Sequence, residues 1–312
     1  MARVIIGIHG LANKPSTEIL TKWWKESIVE GLEVNCGVRN PEIEFTMVHW
    51  ADLLYKYPQH QDKNFTFDSL YNEEPYKRAP KSALKPYEEN WLDRVRAKTQ
   101  SVAGRTVDAV REYVGMDALA DFFLQRILKD LHFYYDSKRK ITDRRGRRRQ
   151  AKIVFQKELQ DVLVANRDTT IMLIAHSMGS IIAYDVLRNL GRTQKGVRIS
   201  HFVTIGSPLG LPTVKARIHQ ERRYAGKMRV RTPSVVMNSW VNFADRKDPV
   251  AVDTHLRDDY GPNTRGVQVV DDLILNDYKI GGKNNHHKSY GYLRTPEVSE
   301  HMREFLRLKR AR

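Results

Sequence analysis

The sequence predicts an α/β domain built on a mainly parallel sheet. Three observations carry that expectation. Short runs rich in Val and Ile alternate with segments of helical periodicity along most of the chain. The first of them, Val4–Ile8, Thr17–Leu32 and Ile43–Val48, fall in the β-α-β order that a parallel sheet needs. The run Thr170–Ile174 passes directly through Ala175-His176-Ser177-Met178-Gly179 into the apolar helix pattern Ser180–Leu187, which reads as strand, very tight turn and helix.

Each element has its own signal. Val4–Ile8 is a short, wholly apolar run of strand type. Thr17–Leu32 places Ile19, Leu20, Trp23, Trp24, Ile28 and Leu32 on one broad helical face. Ile43–Val48 alternates and is β-rich. Residues 55–86 are rich in Tyr, Asn, Pro and Lys and lack a clear period. Tyr87–Val114 and Ala118–Tyr135 then read as two helices, and the basic run Lys138–Arg149, broken by Gly146, as a loop. Ile153–Val164 is helical. Ile199–Ile205, Met237–Phe243 and Gly266–Val270 are expected as the remaining strands, and Val298–Leu308 as a closing helix. The expectation is one domain over residues 1–312, with a mainly helical, cap-like insertion at about 55–150. Trp91, Phe122, Phe123 and Leu131 would pack such a cap onto the sheet; the sharper alternative is a lid that opens an apolar face to lipid.

Composition bounds the function. Of 312 residues, 41% are hydrophobic, enough for a substantial core. Net charge is +16, and Lys138–Arg149 alone carries eight basic residues against one acidic, Asp143. Further basic stretches run from Lys215 to Arg231 and from Arg307 to Arg312. A solvated surface explains such runs first, and peripheral contact with an anionic membrane surface second. Nucleic acid ranks below both, because no aromatic residue interleaves with Lys138–Arg149 and no nucleic-acid-binding motif is present. Cys36 is the single cysteine, so no intrachain disulfide can form. The N-terminal apolar run is too short for a signal segment, and no stretch reaches the ~18 apolar residues of a membrane span. These features lead to the expectation of a cytoplasmic chain, with attachment to a membrane surface as its sharper form.

Ser177 sits at the apex of a small-x-Ser-x-Gly turn between strand and helix, with Ala175 in place of the first glycine. Small residues are needed there because the two backbones approach closely, and the helix N-terminus favours developing negative charge. A serine hydroxyl needs a neighbouring base, an acid that fixes the base's tautomer, and donors aimed at the oxyanion. Two carboxylates, Asp245 and Asp248, follow the strand that ends near Phe243; two histidines, His286 and His287, lie in a glycine-rich loop beyond the last strand. Backbone N–H groups of Leu11 and Met178 are the candidate oxyanion donors. His9, Gly10 and His176 line the substrate side, with His9 ordering the oxyanion loop and His176 packing beside the turn. No carboxylate–histidine spacing supports a metal site, and no cofactor is implied.

Taken together, His9-Gly10-Leu11, Ala175–Gly179, Thr204–Gly210, Asp248-Pro249-Val250 and His287-Lys288-Ser289-Tyr290 resemble the α/β-hydrolase superfamily of serine esterases and lipases. Within it the chain looks most like lipase-like hydrolases and the glycosylphosphatidylinositol inositol-deacylase group. The resemblance implies an α/β-hydrolase fold of about six strands in the order 4-3-5-6-7-8, with helices on both faces. It implies hydrolysis of carboxylic esters, of small molecules or lipids, through an acyl-enzyme. It also favours Asp248 over Asp245 and His287 over His286 as partners of Ser177. A thioesterase or acyltransferase on the same residues, or a non-catalytic binding or scaffold protein on this fold, are the alternatives.

Overall fold

The computed structural model describes residues 1–59, 73–80, 85–88, 129, 131–193, 196–224 and 230–310. Its centre is a six-stranded sheet of β1 (Arg3–Ile8), β2 (Phe45–Val48), β5 (Thr170–His176), β6 (Ile199–Ile205), β7 (Val236–Ala244) and β8 (Val269–Leu273). The order is β2-β1-β5-β6-β7-β8, and every neighbouring pair is parallel. This is the expected α/β-hydrolase core, two strands short at the leading edge. The inner strands β1 and β5 are apolar on both faces because helices cover both.

Period-two alternation divides the core into two layers. Ile5, Met172, Ile174, Val203 and Phe243 face one cluster, completed by α1 (Thr17–Cys36) and the C-terminal helices α5 (Ser289–Leu293) and α6 (Pro296–Leu306). Val4, Ile6, Ile8, Leu173 and Phe202 face the other, which packs against α2 (Ala151–Ala165), α3 (Met178–Thr193) and α4 (Pro212–Tyr224). Trp23, Trp24, Ile28 and Leu32 of α1 are buried as the helical stripe predicts, and Ser16 caps the helix by accepting from the Ile19 N–H.

Several elements differ from the sequence reading. The basic run is a β-hairpin, β3 (Lys140–Thr142) paired with β4 (Arg148–Gln150), not a loop. Asp143 makes the turn by accepting from the Arg145 and Arg147 amides, and Gly146 adopts φ 75° at its tip. Part of the charge is paired: Arg144 bridges Asp52 and Glu158, and Arg147 contacts Asp143. The last strand starts at Val269 rather than Gly266, because the Asn263 side chain holds residues 263–267 in a turn. Pro212–Tyr224, read only as a basic stretch, is a helix with Pro212 at its first turn. Of the two helices expected in the insertion, most residues lie outside those described, although 131–135 are helical.

Residues 73–80 form a strap over α1 and the C-terminal elements. The Glu30 carboxylate accepts from the Tyr76 hydroxyl and the Ala79 amide; Arg78 pairs with Glu33, and Arg294 donates to the Lys77 carbonyl. The Tyr76 ring stacks on Tyr278 at 6.0 Å. Among the described residues, no helix is long and apolar enough to cross a membrane.

Leu173 is fully buried at the middle of β5 between β1 and β6. Leu173→Ala is expected to cost about 2–5 kcal/mol, measured as the change in unfolding free energy by urea titration.

Candidate active site

The turn at Ser177 follows from the sheet. Strand β5 ends at His176 and α3 starts at Met178, so one residue must reverse the chain. Ser177 does so with φ 53°, a left-handed conformation that a non-glycine residue holds only when its surroundings enforce it. The Ser177 amide donates to Ile205 O at 3.1 Å, and the Ser177 carbonyl accepts from Ser180 Oγ at 2.6 Å. Gly179 is required for space: a Cβ there would lie 2.7 Å from His9 O and 2.8 Å from Ile8 O. The end of β1 is thereby pressed against the first turn of α3.

Ser177 faces His287 and Asp248, which arrive from two other loops. Ser177 Oγ is 3.0 Å from His287 Nε2, and His287 Nδ1 is 2.9 Å from both oxygens of Asp248. The Asp248 carboxylate also accepts from the Val250 amide at 2.8 Å and the Tyr292 hydroxyl at 2.7 Å. With Asp248 as acceptor, the proton of neutral His287 sits on Nδ1, and the Nε2 lone pair is turned to Ser177. All three side chains are buried.

The two aspartates and two histidines pair separately. His286 Nδ1 is 3.0 Å from Asp245 Oδ2. Asp245 also accepts from the Lys247 and Asn276 amides. Tyr292 connects the two pairs: its oxygen accepts from the Asp245 amide while its hydroxyl donates to Asp248. Burial and the neighbouring Asp248 hold the Tyr292 phenol well above its ordinary range, so it stays a donor. Asn276 fixes the histidine loop, donating to the His286 and Lys288 carbonyls. That loop is entered through a short hairpin of β9 (Lys279–Ile280) and β10 (Lys283–Asn284). Sequence reasoning missed Tyr292 and Asn276; a polar residue within a buried apolar setting was the only available signal.

His176 and His9 are held neutral by their surroundings. Burial, followed by the nearby His287, pushes His176 well below its ordinary value. Its Nε2 is 2.8 Å from the His287 carbonyl, so it donates there and steadies the backbone of His287. Burial, then His49 and Lys14, likewise lower His9. Its Nε2 accepts from the Trp50 amide at 3.1 Å, which leaves Nδ1–H for the Gly10 carbonyl at 2.7 Å. His9 thus orders the turn that carries Leu11, with Ala12 following at φ 68°. Met178, at the first position of α3, presents one of the helix N-terminal amides.

Gly206 makes the fit between these loops possible. It adopts φ 52°, and a Cβ there would lie 2.7 Å from Asp248 Oδ2 and 3.2 Å from His287 Nδ1. Beside Ser177 a cleft opens, lined among others by Gly10, Lys14, Glu73, His176, His287 and Lys288. Gly10 abuts Ser177, since a Cβ there would sit 2.6 Å from Ser177 Cβ. Glu73 is buried, which alone would raise its pKa, but Lys288 and Lys14 outweigh burial and hold it at about 2. No group of three or more His, Cys, Asp or Glu side chains suited to a metal occurs among the described residues.

Two outcomes follow. Gly206→Ala is expected to lower stability by about 1–3 kcal/mol, read from denaturant unfolding. Because Glu73 is depressed from 4.5 to about 2, its contribution to stability is present above pH 4.5 and lost as pH falls toward 2. The urea midpoint should therefore drop more steeply between pH 6 and pH 3 in the unmodified protein than in Glu73→Gln.

The serine-bearing part of this site also carries a likeness to known proteins. A family model described as lecithin:cholesterol acyltransferase matches residues 144–217, from the β3–β4 turn through Ser177 into the first half of α4. Asp248 and His287 lie beyond the matched stretch. A comparison with curated proteins finds no match.

Proposed function

We propose that this protein is a serine hydrolase of carboxylic esters that works through an acyl-enzyme. The observation that carries the reading is the hydrogen-bonded chain Ser177–His287–Asp248, with the serine in a left-handed turn at a strand–helix junction. Ser177 Oγ attacks the ester carbonyl while His287 Nε2 takes its proton. The resulting imidazolium is steadied by Asp248. Backbone amides of Met178 and Leu11 receive the oxyanion, and the α3 N-terminus adds its dipole. His287 returns the proton to the leaving alcohol. In the second half-reaction, water attacks the acyl-serine with His287 again as base, and collapse frees the acid and Ser177.

The preferred substrate is a lipid ester. The match of residues 144–217 to the lecithin:cholesterol acyltransferase model supports this, as does the resemblance to lipase-like and inositol-deacylase hydrolases. The same match favours a second reading, in which an alcohol rather than water accepts the acyl group. The chemistry up to the acyl-enzyme is common to both, and product analysis with and without an added sterol or alcohol separates them. Contact with an anionic membrane surface through the basic hairpin belongs to this proposal as well, because Arg148 and Arg149 are exposed on β4.

Labelling with a fluorophosphonate tests the reading directly. Intact mass should show a single adduct on the unmodified protein and none on Ser177→Ala. Absence of an adduct on folded protein would favour a binding or scaffold role. Asp248→Asn should lower kcat/KM on the order of 10⁴-fold by reversing the tautomer of His287, whereas Asp245→Asn should cost much less. Equal losses in the two variants would reassign the acid.

A further inference from the structure

The turn that carries Leu11 is held by residues outside the proton relay. It spans residues 9–15, between the end of β1 and Ser16, the cap of α1. Ala12 sits within it at φ 68°, a left-handed conformation that an alanine keeps only where its surroundings fix it.

Two consecutive residues just after β2 hold both ends of this turn. At the near end, the Trp50 amide donates to His9 Nε2 at 3.1 Å, and the Trp50 indole Nε1–H donates to the His9 carbonyl at 3.1 Å. The two rings stack at 5.0 Å with 15° between their planes. At the far end, His49 Nε2 is 2.9 Å from the Pro15 carbonyl; a carbonyl can only accept, so this nitrogen carries a proton. The His49 ring also meets the His9 ring at 5.0 Å, edge-on. His9, His49 and Trp50 are all buried. The middle of the turn is fastened nearer the surface, where Asn13 donates to the Tyr57 carbonyl and the Lys14 carbonyl accepts from the Gln59 amide.

The basic hairpin closes the outer side. Arg144 Nη2 donates to the His49 carbonyl at 3.0 Å, and Nη1 and Nη2 reach the two oxygens of Asp52 at 3.0 and 3.1 Å. Arg144 Nε meets Glu158 at 2.6 Å. Asp52 Oδ1 is in turn 3.5 Å from His49 Nδ1. A continuous set of contacts therefore runs from the hairpin tip through His49 and Trp50 to His9. An amide that serves a developing oxyanion has to be in place before reaction, because reorganising it in the transition state cancels its benefit. Leu11 lies between Gly10, which abuts Ser177, and the left-handed Ala12. The direction of its amide is set by where the two ends of the turn are pinned.

We infer that His49 and Trp50 are positioning residues for the oxyanion: they pin both ends of the turn 9–15 and so fix the Leu11 amide, and Arg144 braces them from the hairpin. The catalytic purpose rests on the hydrolase reading above; the pinning itself does not.

The test compares two substitutions at one position. His49→Leu removes the donor to Pro15, whereas His49→Gln keeps an N–H that can reach the same carbonyl. Hydrogen exchange followed by mass spectrometry should show the amides of residues 10–14 exchanging about tenfold faster in His49→Leu and close to the unmodified rate in His49→Gln. On an ester substrate, kcat should fall about tenfold in His49→Leu with KM little changed, and His49→Gln should recover most of it. Trp50→Phe, which deletes only the indole N–H on the His9 carbonyl, repeats both measurements should His49→Leu lack a cooperative melt. Arg144→Met should move both readouts in the same direction by a smaller factor, and no change would remove Arg144 from the set. Equal losses in His49→Leu and His49→Gln, a raised KM at constant kcat, or unchanged exchange at residues 10–14 would overturn the assignment. Faster exchange that His49→Gln restores, with no ester cleaved by the unmodified protein, would leave the pinning standing and remove the hydrolase reading. Cleavage whose kcat is untouched by His49→Leu would do the reverse.

Discussion

The left-handed turn at Ser177 governs the rest of the site. One residue has to join a buried parallel strand to a helix that packs back over the same sheet, and a φ of 53° is the conformation that allows it. Serine does not prefer that conformation; the cost is of order 1–3 kcal/mol and must be met by the surroundings. Three contacts meet it: the Ser177 amide on Ile205, the Ser177 carbonyl on Ser180, and the end of β1 lying against Gly179. The constraint therefore involves β1, β5, β6 and α3 at once. These are elements at the heart of the sheet, which is why a strained residue can be held there.

A second constraint is the division of labour between two carboxylates only three positions apart. Asp248 is turned toward His287, whereas Asp245 takes two backbone amides and His286. Tyr292 makes the division stable, because its phenol accepts from the Asp245 amide and donates to the Asp248 carboxylate in the same place. Gly206 leaves the room in which Asp248 and His287 meet. The loops that converge on the serine are thus fixed by polar groups on α5 and around Asn276, not by the apolar core.

Much of the sheet was legible because a parallel strand covered on both faces has to be largely apolar, and Val4–Ile8 of β1 and Ile171–Ala175 of β5 are. Ser177 was legible for a related reason: its turn needs small neighbours, and these appear in the sequence. The choice between Asp245 and Asp248, and between His286 and His287, was not open to spacing alone. Both members of each pair occupy the same loop, and the groups that separate them, Tyr292 and Asn276, lie elsewhere. Glu73 escaped notice because residues 55–86 have no period, and its partners are more than fifty residues away in either direction. The hairpin at 140–150 was hidden by its charge, since the exposed β3 and β4 carry little of the apolar alternation that marks a strand facing a core.

The strap at residues 73–80 brings ionic strength into the picture. Its two ends are held by charge, but in different media. Glu73 is buried between two lysines, where mobile ions scarcely reach. Arg78, at the other end, pairs with Glu33 in contact with solvent, where a Debye length of about 8 Å at physiological salt screens much of the attraction. Between them the Tyr76 ring is seated on Tyr278 and is indifferent to salt. Rising salt thus weakens the outer anchor of the strap more than the inner one, so the two ends of one segment respond differently to ionic strength.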